Sequence, residues 1–118
     1  MIFNSYLIWT TDSKLLMRIQ TSDDLEKFIF KLQKPAKSKI TRYLELLEDY
    51  GFNLKMPYSK MVTANLYELR IHGQQEVRIF YTINNGTAFL LHGFIKKTNK
   101  TPVREIKTAL NRLNNLDI

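Results

Sequence analysis

Between Asn65 and Ile95 the side chains change face with every residue, in three successive runs. The run "NLYELRIH" sets Tyr67, Leu69 and Ile71 on one side and Leu66, Glu68, Arg70 and His72 on the other. The run "EVRIFYTI" sets Val77, Ile79, Tyr81 and Ile83 against Arg78, Phe80 and Thr82. A period of two belongs to pleated backbone and fits no helix. Asn85-Gly86 then supplies two residues that tolerate positive φ, as a two-residue hairpin turn requires, and "TAFLLHGFI" follows as the next strand. The chain is thereby committed to an antiparallel meander.

Helical periods flank it. Thr21-Ser22-Asp23-Asp24 offers acceptors for the free amides of a helix start, and Leu25, Phe28, Ile29 and Leu32 follow at helical spacing, which predicts a helix over about 22–33. After "QKPAK", Pro35 suits a first helical turn, while Ile40, Tyr43, Leu44 and Leu47, with Gly51 beyond Tyr50, predict a second helix packed on the first as a hairpin. Thr101-Pro102 reads as the cap of a last helix with the stripe Val103, Ile106, Leu110 and Leu113. The first 20 residues are ambiguous: "IFNSYLIWT" suits an edge strand, and "DSKLLMRIQ" its partner or a short helical turn. The order predicts an α+β fold, a small antiparallel sheet with two N-terminal helices and a C-terminal helix. No linker or repeat interrupts residues 1–118, so one domain is expected.

The 118 residues can bury a core unaided, and the absence of cysteine removes disulfide frameworks, thiolate metal sites and cysteine nucleophiles together. No apolar run approaches the roughly 20 residues of a membrane span, and the amino terminus lacks the pattern of a secretory signal, so a cytoplasmic protein is expected. Neither a cofactor nor a metal is expected: two histidines and scattered carboxylates make no ligand set. The net charge is +7, and residues 96–112 concentrate it, with six Lys/Arg against one Glu. An anionic partner is the natural reading.

Counting back from the Asn85-Gly86 loop places Asn84 opposite Thr87, Tyr81 opposite Leu90, Arg78 opposite Gly93 and Val77 opposite Phe94. A turn at Gly73-Gln74-Gln75 sets Arg70 opposite Arg78. This register gives an apolar face for the helices (Tyr67, Leu69, Ile71, Val77, Ile79, Tyr81, Leu90, Phe94), with His92 on it as a hydrogen-bonded core residue. It leaves an open second face of Glu68, Arg70, His72, Arg78, Phe80 and Gly93, extended by Lys97. Like charges across a strand pair repel, so the two arginines make better sense with an anion between them, and Gly93 would leave room for it. The competing reading pairs them with Glu68 and Glu76 as ordinary surface ion pairs.

The run "LYELRI…EVRIFYTINNGTAFLLHGFIKKTNKTPVREIKTAL" resembles the HigB-type, phage-associated branch of the RelE superfamily of toxins from type II toxin–antitoxin systems. The resemblance rests on an aromatic-Glu-Leu-Arg strand, an Arg-hydrophobic-aromatic strand, and "LLHGF" followed by a Lys pair and Thr-Pro. It covers residues 66–109, with Asn99 where the pattern more often has Gln. It implies a small antiparallel sheet with helices on one side, and cleavage of messenger RNA on the translating ribosome. It also implies neutralisation by a helix-turn-helix (HigA-like) antitoxin, with which the toxin would bind operator DNA, and no membrane.

In such a ribonuclease the RNA 2′-hydroxyl is the nucleophile, and the protein must manage protons and the charge on phosphorus oxygens. Arg70 and Arg78 are the candidate phosphate clamp. Lys97, or Lys96 if the strand ends early, is a second source of charge or a proton donor. His72 is a candidate acid or base, although a histidine at a turn is commonly just polar surface. Glu68 would orient Arg70, Phe80 would stack on a base or simply pack, and Lys100 and Arg104 would extend the phosphate contacts. Tyr81 reads as packing, and Trp9 as a core or antitoxin contact. Lys27, Lys31, Lys34, Lys37 and Lys39 read as solvated helix surface or a ribosomal RNA contact. Two rival classes stay open: a non-catalytic nucleic-acid-binding module, and an interaction subunit whose basic surface meets an acidic partner.

Overall fold

A computed structural model describes residues 17–117 and the backbone of the strand Phe3–Tyr6. Trp9, and with it the expectation of a core or partner contact there, lies outside the described residues. The turn forms as its residues dictate: Asn85 (φ 49°) and Gly86 (φ 73°) join β5 (Val77–Asn84) to β6 (Thr87–Ile95). With β1 (Phe3–Tyr6), β2 (Arg18–Ser22), β3 (Ser59–Thr63) and β4 (Leu66–Ile71), these build a six-stranded sheet in the order β1-β2-β6-β5-β4-β3. Part of "IFNSYLIWT" is thus an edge strand, and its partner starts at the end of "DSKLLMRIQ".

The sheet departs from the wholly antiparallel expectation. β2 runs parallel to β6, with Arg18 opposite Thr87 and Gln20 opposite Phe89. At the other edge, β3 pairs with β4, and the polar run "SKMVT" carried no readable strand period.

Helix α1 (Asp23–Phe30) starts where Ser22 Oγ accepts the Leu25 amide at 3.2 Å, with Asp23, Asp24 and Glu26 at the positive end of its dipole. It stops three residues short of the predicted end. Helix α2 (Lys34–Tyr50) carries Pro35 in its first turn and ends at Gly51, whose φ of 52° suits glycine and whose amide returns to Leu47 O. Both helices cover one face, burying Leu25, Ile40 and Leu47 with Leu69, Ile71, Ile79 and Leu90. Each fully buried aliphatic side chain there contributes roughly 1.5–3 kcal/mol. No helix among the described residues is long and apolar enough to cross a membrane.

Helix α3 (Val103–Asn114) lies on the opposite face, which was expected to be open. Ile106, Ala109, Leu110 and Leu113 seal a second core over Leu66, Phe80, Leu91 and Phe94. Val103, assigned to the same stripe, is exposed. The result is three layers, with helices on both sides of the sheet.

A β-bulge accounts for the other departures. Tyr81 faces Leu90 as counted, but Phe80 faces His92, leaving Leu91 as an extra residue on β6. From there on the register is shifted by one, so Arg78 lies opposite Phe94, Gly93 opposite Ile79, and Val77 opposite Ile95. His92 therefore belongs to the α3 side, stacked with Phe80 and Phe94 and bonded through Nε2 to Glu105 at 2.8 Å. Gly93 turns to the other side: a Cβ there would come within 2.8 Å of Leu25 and Phe28, so it admits α1 rather than a ligand beside Arg78.

Candidate functional site

The β4–β5 ladder sets Arg70 directly opposite Arg78, as counted. Two residues before Arg70, on the same face, Glu68 reaches between them: its Oε1 lies 3.7 Å from Arg70 Nε and 3.9 Å from Arg78 Nε. Those separations relieve the like-charge repulsion without making hydrogen bonds, and among the described residues both buried Nε atoms lack a hydrogen-bond partner. The Arg78 side chain is 2% exposed. It is held by Glu76 Oε1, 3.2 Å from Nη2, and by the Val77 carbonyl, 3.0 Å from Nη1. The ion-pair reading of these residues is therefore what the structure contains, although Arg78 is buried rather than at the surface.

Glu76 is the hub of the adjoining turn. Its Oε1 also meets His72 Nδ1 at 2.9 Å, and its Oε2 accepts the Gly73 amide at 2.9 Å. Partial burial alone would raise the Glu76 carboxyl, but the Gly73 amide, His72 and Arg78 outweigh it and hold the group at about 2. His72, with a side chain 48% exposed, thus has one nitrogen oriented by a carboxylate. Its carbonyl accepts Lys39 Nζ, so one of the helix lysines is tied to the turn.

The lysine-rich segment after β6 is pinned at both ends. The Lys96 amide bonds Glu76 O at 2.6 Å, its Nζ bonds Asn99 O at 2.8 Å, and Thr101 Oγ1 donates to Glu68 Oε2 at 2.8 Å. Thr101, read in the sequence as a helix cap, spends its hydroxyl on the Glu68 carboxylate, and the cap position falls to Pro102. The loop therefore joins Glu76, just before β5, to the carboxylate between the arginines, and Lys97 and Lys100 within it are exposed. On the far side, Arg70 Nη1 contacts Met56 Sδ at 3.2 Å and its amide bonds Tyr58 O at 2.8 Å.

Glu68, Arg70, Arg78 and, through the Glu76 carboxylate, His72 thus stand together, whereas Lys96 meets Glu76 by its main chain and turns its ammonium to Asn99 O. Lys97 and Lys100 lie exposed in the loop beyond the strand rather than as its extension. Arg104 lies outward on α3 with its side chain 82% exposed. Phe80 is enclosed under α3 and has no face to offer a base. Tyr81 is packed, bonded to Ser59, and burial pushes its phenol up to about 12. Sequence reasoning missed Met56 and Tyr58, which lie in a loop without periodicity. Among the described residues no cluster of His, Cys, Asp and Glu could hold a metal ion.

Residues 27–114 match the family model described as phage derived protein Gp49-like (DUF891). The chain belongs to this Gp49-like family. The matched span runs from the middle of α1 through α3 and takes in every residue of the site just described. No curated protein matches the chain.

Proposed function

We propose that this Gp49-like protein is the toxin of a type II toxin–antitoxin system, of the HigB-type branch of the RelE-like toxins. It would act as a metal-independent endoribonuclease on messenger RNA at the ribosome. A helix-turn-helix antitoxin would neutralise it and carry it to operator DNA. One observation carries the reading: a cross-strand arginine pair at a sheet end, with one member buried and one reaching solvent, is bordered by a pinned lysine loop.

Cleavage requires the 2′-oxygen to attack phosphorus as its proton is removed, and the 5′-oxygen to leave with a proton, giving a cyclic phosphate. His72 would make one of these transfers through its Nε2, the nitrogen that does not meet Glu76. Arg70, 21% exposed, offers guanidinium hydrogens to the phosphoryl oxygens, and Lys97 adds charge from the loop. Arg78 is a positioning residue: it holds Glu76, which orients His72, and shares Glu68 with Arg70.

The test is a purified-protein assay on a defined messenger RNA, with and without ribosomes. Cleavage should occur, and a 2′-deoxy sugar at the cut site should block it while leaving binding intact. Cutting of the deoxy substrate would refute the mechanism. A second reading, a binding module, draws on the carboxylates that already neutralise both arginines; it requires salt-sensitive RNA binding without product.

A further inference from the structure

On the face of the sheet away from this site, α1 and α2 leave a cavity of about 520 Å3 against β2 and β6. That volume lies in the range of small-molecule sites. Ile19, Ile29, Ile40, Leu44 and Leu90 form apolar walls. Of the polar groups that line it as well, two are buried: Thr21 is 1% exposed and Glu48 4% exposed. Among the described residues, neither Thr21 Oγ1 nor Glu48 Oε2 has a hydrogen-bond partner. Orphaned buried oxygens are rare in folded proteins, because each forfeits its hydration without replacement.

Among the described residues, carboxylates outnumber cations around them. Glu26 and Glu45 also line the cavity, with Lys37, whose Nζ lies on Phe30 O and over the Phe30 ring at 5.2 Å. Glu48 makes no ion pair among the described residues. Burial, with repulsion from Asp49 and Glu45, holds its carboxyl up near 7. In a chain of net charge +7, this is an acidic pocket with an apolar lining.

We propose that the cavity binds a small amphiphilic amine, its ammonium meeting Glu48 and Thr21 and its apolar body lying between α1 and α2. An ammonium has three donors and one charge, enough for both orphaned oxygens and for the carboxylate. A carboxylic acid would add a negative group beside Glu26, Glu45 and Glu48. An alcohol would bond one oxygen and leave the acidic group without a cation. The site is independent of the ribonuclease reading.

The probes are n-hexylamine, n-hexanol and n-hexanoate, titrated calorimetrically into the full chain at neutral pH. Hexylamine should bind saturably, at least tenfold more tightly than the other two. Glu48→Gln should abolish that preference, and Thr21→Val should weaken amine binding severalfold. Methyl resonances of Ile29, Ile40 and Leu44 in the unaltered protein should shift with the amine, a readout that needs no variant to fold. Equal binding of all three probes, undiminished amine binding by Glu48→Gln, or unmoved methyl resonances would each overturn the proposal.

Discussion

Arg70 and Arg78 face each other across the β4–β5 ladder, yet their side chains are 21% and 2% exposed. The same residue type in paired positions therefore does two different things. Arg78 is a structural cation whose partners are Glu68, Glu76 and a backbone carbonyl. Arg70 shares Glu68 but keeps part of its guanidinium toward solvent.

Substitution should separate the two. Arg78→Ala empties the site of one of the largest fully buried side chains and leaves Glu68 with Arg70 and Thr101 alone, a change on the scale of core truncations, about 2–5 kcal/mol. Arg70→Ala should cost less, because the side chain is 21% exposed and Glu68 keeps Arg78 and Thr101, yet slow the proposed RNA cleavage by on the order of a hundredfold. Arg70→Lys should also fail, because an ammonium lacks the planar two-point grip. Urea unfolding alongside the cleavage assay measures both, and equal stability losses would contradict the difference in burial.

Glu76 should control an acid limb. Its folded carboxyl is held at about 2 against an ordinary 4.5, so the folded state binds this proton more weakly than the unfolded chain. The stabilisation is fully present above 4.5 and is lost as pH falls toward 2. Glu76→Gln should be less stable than the parent at pH 6, and the gap should narrow as the pH is lowered to 3 in urea titrations.

Glu48 should act in the opposite sense. Burial first, then Asp49 and Glu45, raise it from 4.5 to about 7, so folding favours the protonated form. Its contribution is complete below 4.5 and is lost as pH rises through 7. Glu48→Gln should therefore gain stability relative to the parent between pH 5 and pH 8, read from melting temperatures in matched buffers. A constant difference across that range would show that the group does not titrate there.

Gly93→Ala tests the corrected register. The new methyl would meet Leu25 and Phe28 at 2.8 Å, and overpacking of this kind costs about 1–3 kcal/mol. Had Gly93 stood beside Arg78 on an open face, the change would be close to neutral. Thermal unfolding distinguishes the two placements.

Much of the meander was legible because local chemistry determines it. Asn85-Gly86 fixed the turn, and the count from it held as far as Tyr81 opposite Leu90. Arg70 opposite Arg78 was reached from the other turn. Beyond Leu90 the count failed, since a bulge in "LLHGF" leaves no mark in a run apolar on both sides, and one extra residue exchanged the faces of His92 and Gly93. The stripe on α3 was visible except that Val103 is exposed, but an amphipathic helix does not state which face of a sheet it will cover. Glu68, Arg78 and Thr101 could not be read as one buried cluster until α3 was known to lie over that side.

The parallel pairing of β2 with β6 also sets an order of events. Arg18 donates its amide to Gly86 O and lies opposite Thr87, so the strand made near the beginning waits for one encoded roughly seventy residues later. Contacts of such separation slow folding, because a long loop must close before they form. Arg78 needs β6 at its side, and Glu68 needs Thr101 beyond it. While the carboxyl-terminal third is still being synthesised, the chain has no assembled arginine site. The arginine site is therefore completed late, once the lysine loop and Thr101 have joined the chain.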